Sequence, residues 1–360
     1  MTIMKQTSFV QSIIGVSVGV FLSLTGLPGI SHAADLAYKF EIVDIPLHFT
    51  FLGEQRDDTV RLTDIDERGR MAGNDFAGAG YFVGIKHRAH KVQCPSDRTD
   101  NESTMVSAIN NSGQVVGSCT DGGFIRNRNG KITILNYPGA DGTIVLGIND
   151  FGHVVGQYWG NLFGQGLQRF HGFLWKNGKY TTIDAPFSEA MATTLSGINN
   201  AGQIIGTYFH HRAGSPDINE YDSEVAFLYD NGNFTQLKFP GAQIPFCCGA
   251  ETFPMDINNL GQVVGSTYDS EGNFQFFLLN DGTYFRITGL PENVVDAGGS
   301  WGLNDKSQIA GTYLQRVPCD TCGFAGAPGY EFTLHSFVAK PQKALKKHLV
   351  RNLEMLGKNF

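Results

Sequence analysis

Short runs of Val, Ile, Leu and Phe alternating with polar residues recur along most of the chain, each broken by Asn, Asp and Gly. Alternation over short stretches bounded by turn formers is the period of half-buried strands. The clearest run, 196–208, reads S-G-I-N-N-A-G-Q-I-I-G-T-Y, and cognates lie at 62–73, 107–117, 147–158, 256–268 and 301–313. Each places an Asn or Asp (Asp66, Asn110, Asn149, Asn199, Asn258, Asn304) three residues before a Gly (Gly69, Gly113, Gly152, Gly202, Gly261), with Ser307 replacing the last Gly. Asn bonds its own backbone two residues on, and Gly supplies a positive φ, so the spacing predicts a type I turn with a G1 bulge. Bonding to the local backbone accounts for the row of Asn without a metal or a glycan.

A second hairpin follows each first one. Its cleanest copy is 173–184, F-L-W-K-N-G-K-Y-T-T-I-D, and Asn129-Gly130, Asn231-Gly232 and Asp281-Gly282 occupy the place of its Asn177-Gly178. Asn-Gly or Asp-Gly between apolar runs predicts a type I′ turn. The first-turn glycines from Gly69 to Gly261 are 44, 39, 50 and 59 residues apart. Four strands in about 40 to 50 residues is the period of a propeller blade. Residues 39–45 (K-F-E-I-V-D-I) resemble the end of a second hairpin with no partner before them, and 335–338 (H-S-F-V) a third strand with nothing after it. Each can complete the other, which removes a sheet edge. The expected fold is all-β: a six-bladed β-propeller of four-stranded blades over 34–341, its last blade closed by the N-terminal strand.

The ends differ in composition. Residues 1–33 carry Lys5, an apolar run from Ile13 to Leu27, and Ser31-His32-Ala33, small residues at the two positions a signal peptidase reads. Ser17, Ser23 and Thr25 interrupt the run, which falls short of the roughly 20 residues of a membrane span, so a cleaved leader is expected rather than an anchor. Residues 342–360 carry Lys343, Lys346, Lys347, Arg351 and Lys358 against Glu354, with Leu345, Leu349, Leu353 and Leu356 at helical spacing. They predict a short basic amphipathic helix, docked on the propeller or in peripheral contact with an anionic membrane surface.

Net charge is −7 for the whole chain, and because the leader and tail together hold +5, the propeller carries −12. Such a field disfavours nucleic acid, whose binding needs clustered bases. A hydrophobic fraction of 41% with 45 glycines suits a turn-rich β protein.

Several elements recur in one order: N-Y-P-G-A at 136–140, G-I-N-D-F-G-H-V-V-G-Q-Y at 147–158 and H-G-F-L at 171–174. Over about 39–341 the chain resembles the extracellular HAF repeats of bacteria, although in the first blade Lys86-His87-Arg88-Ala89-His90 stands where an Asn-Gly turn is expected. The resemblance implies an exported, secreted or periplasmic repeat protein; it implies no activity and transfers no functional residue.

Six cysteines fit an oxidising compartment. Cys319 and Cys322 form a C-x-x-C outside any βαβ context, so a local disulfide is expected rather than a redox pair, and the lack of a second C-x-x-C speaks against zinc. Cys94 with Cys119 is the next expected pair, across the second blade. Cys247 and Cys248 could bond each other, bond elsewhere or stay reduced.

Tight turns within the hairpins make one plain face; long links between hairpins make the other, where function is expected. Candidate ligand contacts there are Trp159, Arg169, His210, Tyr221 and Arg316. The primary expectation is a non-catalytic binding protein for a glycan, a cell-surface protein or a small ligand, without cofactor or metal. The alternative is a polysaccharide lyase or hydrolase in which His211 and Tyr208 exchange protons while Arg212 neutralises a substrate carboxylate. Tyr208 shares a repeat position with Tyr158, Tyr268 and Tyr313, which also suits blade packing. Asp217, Asn219, Asp222 and Glu224 could offer oxygens to calcium but lack the ordering of an EF-hand loop, so solvated loop acids are the simpler reading. N-terminal sequencing of the processed protein should begin near Ala34; a full-length cytoplasmic form would contradict the leader assignment.

Overall fold

The computed structural model describes residues 33–51, 54–95, 104–160, 169–187, 190–211, 221–242, 252–269, 271, 274–296, 301–319 and 329–342. The leader and the expected C-terminal helix lie outside them. The described elements are strands and turns. No helix among the described residues is long and apolar enough to cross a membrane.

Strand β1 (Ala34–Ile42) leads into an accessory hairpin, β2 (Pro46–Phe51) and β3 (Glu54–Thr59). The first blade is β4 (Arg61–Ile65), β5 (Met71–Asn74), β6 (Gly80–Val83) and β7 (Ala89–Lys91). The second is β8 (Met105–Ile109), β9 (Val115–Cys119), β10 (Gly122–Arg126) and β11 (Ile132–Leu135). The third is β12 (Gly142–Ile148), β13 (Val154–Gly160), β14 (Arg169–Lys176) and β15 (Lys179–Thr182). The fourth is β16 (Ala190–Ile198), β17 (Ile204–His211), β18 (Tyr221–Asp230) and β19 (Asn233–Leu237). The fifth is β20 (Thr252–Ile257), β21 (Val263–Tyr268), β22 (Phe274–Asn280) and β23 (Thr283–Thr288). A last unit holds β24 (Val294–Asp296), β25 (Gly302–Leu303), β26 (Ile309–Cys319) and β27 (Gly329–Pro341).

The first four units are separate four-stranded antiparallel sheets, as expected of a β-propeller. The fifth and last are one nine-stranded sheet, because β1 serves both. Its second half pairs antiparallel with β27, from Tyr38 opposite Pro341 to Ile42 opposite Phe337, which is the expected completion of the last unit. Its first half, Ala34–Ala37, runs parallel to Phe285–Thr288 of β23, a bridge not anticipated from sequence.

The first turns take the expected bulged form. Gly202 has φ 84° and Ser307 accepts φ 56°. The second turns are type I′ in the third to fifth blades, with Asn177, Asn231 and Asp281 all at positive φ. In the second blade only Gly130 is left-handed, and the bonds Asn127 N–H to Lys131 O and Gly130 N–H to Asn127 O close a bulged turn. Asn129-Gly130 is therefore not the type I′ turn its sequence suggested.

The turn asparagines do more than fold back on their own backbone. Asn199 Oδ1 accepts the Gln203 N–H at 3.0 Å, and its Nδ2 reaches the Asn258 carbonyl of the next blade at 3.1 Å. The same reach links Asn110 to Asn149, Asn149 to Asn199, Asn258 to Asn304 and Asn304 to Asp66. The residue after each forms a second circuit, in which a backbone N–H donates to the next blade's side-chain oxygen. It runs Glu67, Asn111, Asp150, Asn200, Asn259, Asp305 and back to Glu67. Closure of that circuit brings six turns around one axis.

Apolar clusters fill the spaces between neighbouring blades: Val155 and Ile183 of the third pack with Leu195, Tyr208 and Phe227 of the fourth. Trp301 stacks on Phe276 across the last interface, with Tyr38 and Phe337 in the same cluster. The inner strands approach closely enough that a Cβ at Gly156 would lie 2.0 Å from the Ile144 carbonyl oxygen, which explains the Gly closing each V-V-G or I-I-G triplet. Cys94 and Cys119 form the expected disulfide.

Asn199→Asp keeps the local acceptor but loses the donor to Asn258, placing a carboxylate against a buried carbonyl. Chemical denaturation should show a loss of about 1–3 kcal/mol, the cost of an unsatisfied buried partner. Unchanged stability would mean that the inter-blade bond contributes nothing.

Candidate functional site, a basic cleft among the tight turns

Two concavities open among the tight turns of the described residues. One lies on the axis, a cavity of about 60 Å³ lined by the two circuits and by Asp64 and Asp256. These two aspartates stand at a bulge position that is Gly or Ala in the other units (Ala108, Gly147, Gly197, Gly302). A Cβ on Gly302 would lie 2.3 Å from Asp64 Oδ1, so the glycine makes room for the carboxyl. Asp64 accepts the N–H groups of Ile65 and Ile109, and Asp256 those of Ile257 and Leu303, all at 2.7 Å. Each carboxyl thus ties two neighbouring blades. Burial raises both, Asp256 to about 7, and the Asp256 charge raises Asp64 further.

The other cavity is a cleft of about 500 Å³ between the first two blades. It is lined by Arg70, Phe82, Gly84, Ile85, Lys86, Arg88, His90, Gly113, Arg126 and Arg128, without an acidic residue. The turn from β6 to β7 supplies one wall. Gly84 N–H donates to Arg88 O, His87 N–H donates to Gly84 O, and His87 sits at φ 55° where the second blade has Gly130. The end of β10 and its turn supply the other wall. There is a local reason for the gap. In the second, fourth and fifth blades a Gln beside the first turn bonds the residue opening the second turn: Gln114 to Asn127, Gln203 to Asp230, Gln262 to Asn280. The first blade has Arg70 and Gly84 at these places, and Arg70 instead folds back onto the buried Asp66 and the Asn111 carbonyl. A Cβ at Gly113 would lie 2.5 Å from Arg70 Nη1, so the glycine admits the guanidinium as well as the turn.

Arg70 is neutralised by Asp66, but Lys86, Arg88, Arg126 and Arg128 enter no ion pair among the described residues. Lys86, Arg88 and Arg128 are exposed and Arg126 half-buried. Phe82 and His90 stack at 6.3 Å with 29° between their planes, and Ile85 is 64% exposed at the rim. The cleft therefore offers aromatic surface together with cations from both blades. Sequence reasoning passed over it; its traces were the absent Asn-Gly turn at 86–90 and the R-N-R of 126–128 in an acidic chain.

The expected contacts on the long-link face come from the third, fourth and last units, with Arg169 opposite Gly160 and His211 opposite Tyr221. Trp159, on β13, is half-buried, with its ring 5.8 Å from Phe170 and against Gly142, where a Cβ would lie 2.1 Å from it. Tyr208 is 2% exposed, accepts a bond from Gln236 and stacks on Phe187, the packing role its repeat position allowed. Arg316, on β26, is exposed and lies 3.4 Å over the Tyr330 ring. His210, His211 and Tyr221 occupy ladder positions on β17 and β18, and Arg169 begins β14; their side chains lie outside the description, as does Arg212. Cys319 ends β26, while Cys322, Cys247 and Cys248 fall outside the described residues. Of the weighed calcium oxygens, Glu224 is mostly buried, accepts the Thr207 hydroxyl, and has its carboxyl raised by burial. No group of three or more His, Cys, Asp or Glu suited to a metal occurs among the described residues.

Two His–Asp pairs resemble acid–base machinery. His171 Nδ1 lies 2.7 Å from Asp184, whose other oxygen accepts the Gly172 N–H; His335 Nδ1 lies 3.3 Å from Asp44, which accepts the Ser336 N–H. Recurrence at equivalent places in two units marks them as clamps between adjacent strands, and explains the His of the repeated H-x-F.

No family model and no curated protein matches the chain. Solved structures do. The β-propeller domain of the Trilobed protease from Pyrococcus furiosus aligns at 9% identity and TM-score 0.44, over 84% of this chain and 92% of that one. A gluconolactonase from Xanthomonas campestris aligns at 10% and 0.43, over 85% and 97%. A fucose-recognising lectin from Aleuria aurantia with a six-bladed β-propeller fold aligns at 12% and 0.36, over 83% and 95%. Similarities this distant carry nothing about ligand or reaction.

Asp256 yields a pH prediction. An unfolded Asp ionises near 4. Its folded carboxyl titrates near 7, so between those values the folded protein holds the extra proton. Its stabilising contribution is complete below about pH 4 and is lost as pH rises through about 7. Thermal midpoints should fall between pH 5 and pH 8, less steeply in Asp256→Asn; equal slopes in both proteins would contradict the assignment.

Proposed function

We propose that this is an exported, non-catalytic binding protein of the HAF-repeat kind, a six-bladed propeller that holds a glycan or small ligand in the cleft between its first two blades. The observation carrying this reading is the cleft itself: about 500 Å³ with an aromatic surface and cations that have no acidic partner among the described residues, within the range of ligand pockets. Export is supported by the leader pattern and by the Cys94–Cys119 disulfide. A non-catalytic role is supported by the engagement of the described carboxyl and imidazole pairs in bonds that join strands or blades.

A second reading keeps ligand contact on the long-link face. There β26 and β27 run on as a ribbon bearing Arg316 over Tyr330, with Phe332 58% exposed.

The test is a screen of the purified protein against neutral and acidic glycans, reading both retention and new unsaturated or reducing ends. Retention without product, lost in Phe82→Ala and kept in Arg316→Ala, is the expected result. Product formation would replace the binding reading with a lyase or hydrolase. Loss in Arg316→Ala alone would move the site to the long-link ribbon.

A further inference from the structure

This inference rests on the cleft being the binding site and concerns what fills it. The propeller carries −12 once leader and tail are set aside, yet the cleft walls gather Lys86 and Arg88 from the first blade and Arg126 and Arg128 from the second. These four enter no ion pair among the described residues, whereas Arg70 beneath them is paired with Asp66. Like charges gathered in one concavity repel each other; walls of one sign also focus the field on a ligand of the opposite sign. Arginine forks match carboxylates two bonds at a time.

Two further features narrow the ligand. Phe82 and His90 present stacked rings in the same cleft as the cations, which suits the apolar face of a sugar ring and is not required by a bare oxyanion. The cleft volume of about 500 Å³ accommodates a short ligand, while the acidity of the surrounding propeller opposes a long polyanion passing beyond it.

We propose that the cleft takes a short acidic saccharide, one or two rings long, whose carboxylates bridge the cations of the first and second blades while a ring rests against Phe82 and His90. The departure of the first blade from the repeat, K-H-R-A-H in place of an Asn-Gly turn, is the specificity element. Substituting a Gly for the turn-opening Asn or Asp opens the gap, and the same turn charges it.

Titration calorimetry on the purified full-length protein tests this with digalacturonate, the neutral disaccharide cellobiose, inorganic phosphate and single-stranded DNA as separate probes. Digalacturonate should bind at least about tenfold more tightly than the other three, and its affinity should fall as salt shortens the screening length. Arg88→Ala and Arg126→Ala should each weaken it by about tenfold, the scale of one charge-assisted pair. Lys176→Ala, on the same face at the third blade, should leave it unchanged, and all three variants should keep the parent's thermal midpoint. Equal binding of cellobiose, insensitive to both arginine changes but lost in Phe82→Ala, would overturn the acidic ligand while leaving the cleft as the site. Equal or tighter binding of phosphate would reduce the cleft to a simple oxyanion site and overturn the saccharide. Tighter binding of DNA would overturn the short-ligand assignment. Binding of digalacturonate unaffected by Arg88→Ala, Arg126→Ala and Phe82→Ala, or no binding by any probe, would overturn the inference; unaffected binding would also remove the cleft as the site.

Discussion

The fold depends on the hydrogen bond from a buried turn amide to the next blade's carbonyl. A blade alone cannot bury both of its apolar faces, so each needs neighbours at a fixed angle. Hydrophobic contact alone is non-directional. The Asn side chain supplies direction: Oδ1 holds its own turn at Gln203 N–H while Nδ2 reaches the Asn258 carbonyl. Repetition of this bond, with the neighbouring circuit through Asn111, Asp150, Asn200, Asn259, Asp305 and Glu67, sets the angle between units and closes the chain on itself. Asp64 and Asp256 reinforce it with carboxyl bridges between blades.

The circuit also accounts for the place of the cleft. In the first blade the turn residue is Asp66, which has no amide hydrogens to donate, and Arg70 four residues on supplies donors to Asp66 and to the Asn111 carbonyl. That substitution takes up the residue that bonds the second turn in the second, fourth and fifth blades. The second turn of the first blade is thereby freed from the repeat, and its charged residues face those of the second blade across open space.

Much of the architecture was legible because it is local chemistry. Asn or Asp three residues before Gly reports a bulged turn, and the unmatched strands at the two ends report their mutual pairing; β1 opposite β27 satisfies that expectation. The parallel run of Ala34–Ala37 beside β23 was not legible, since nothing in a short strand says how far past its partner it extends. Nor was the donor role of the asparagines, because a local bond already explained the residue. The cleft escaped for another reason: Arg70, Lys86, Arg88, Arg126 and Arg128 come from separate turns and meet only when two blades stack. Tight turns suggested a plain face, but turn length limits backbone excursions, not the charge that side chains carry. Tyr208, expected either to exchange a proton or to pack the blade, lies buried against Phe187 and accepts a bond from Gln236.

The central claim is that ligand sits among the tight turns between the first and second blades, held there by cations that enter no ion pair among the described residues. A crystal structure of the protein with digalacturonate tests it most directly. The account predicts a sugar ring against Phe82 and His90, with carboxylates within hydrogen-bond distance of Arg88 and of Arg126 or Arg128. Sugar density on the opposite face, beside Arg316 and Tyr330 or against Trp159, with the cleft holding only solvent, would contradict it.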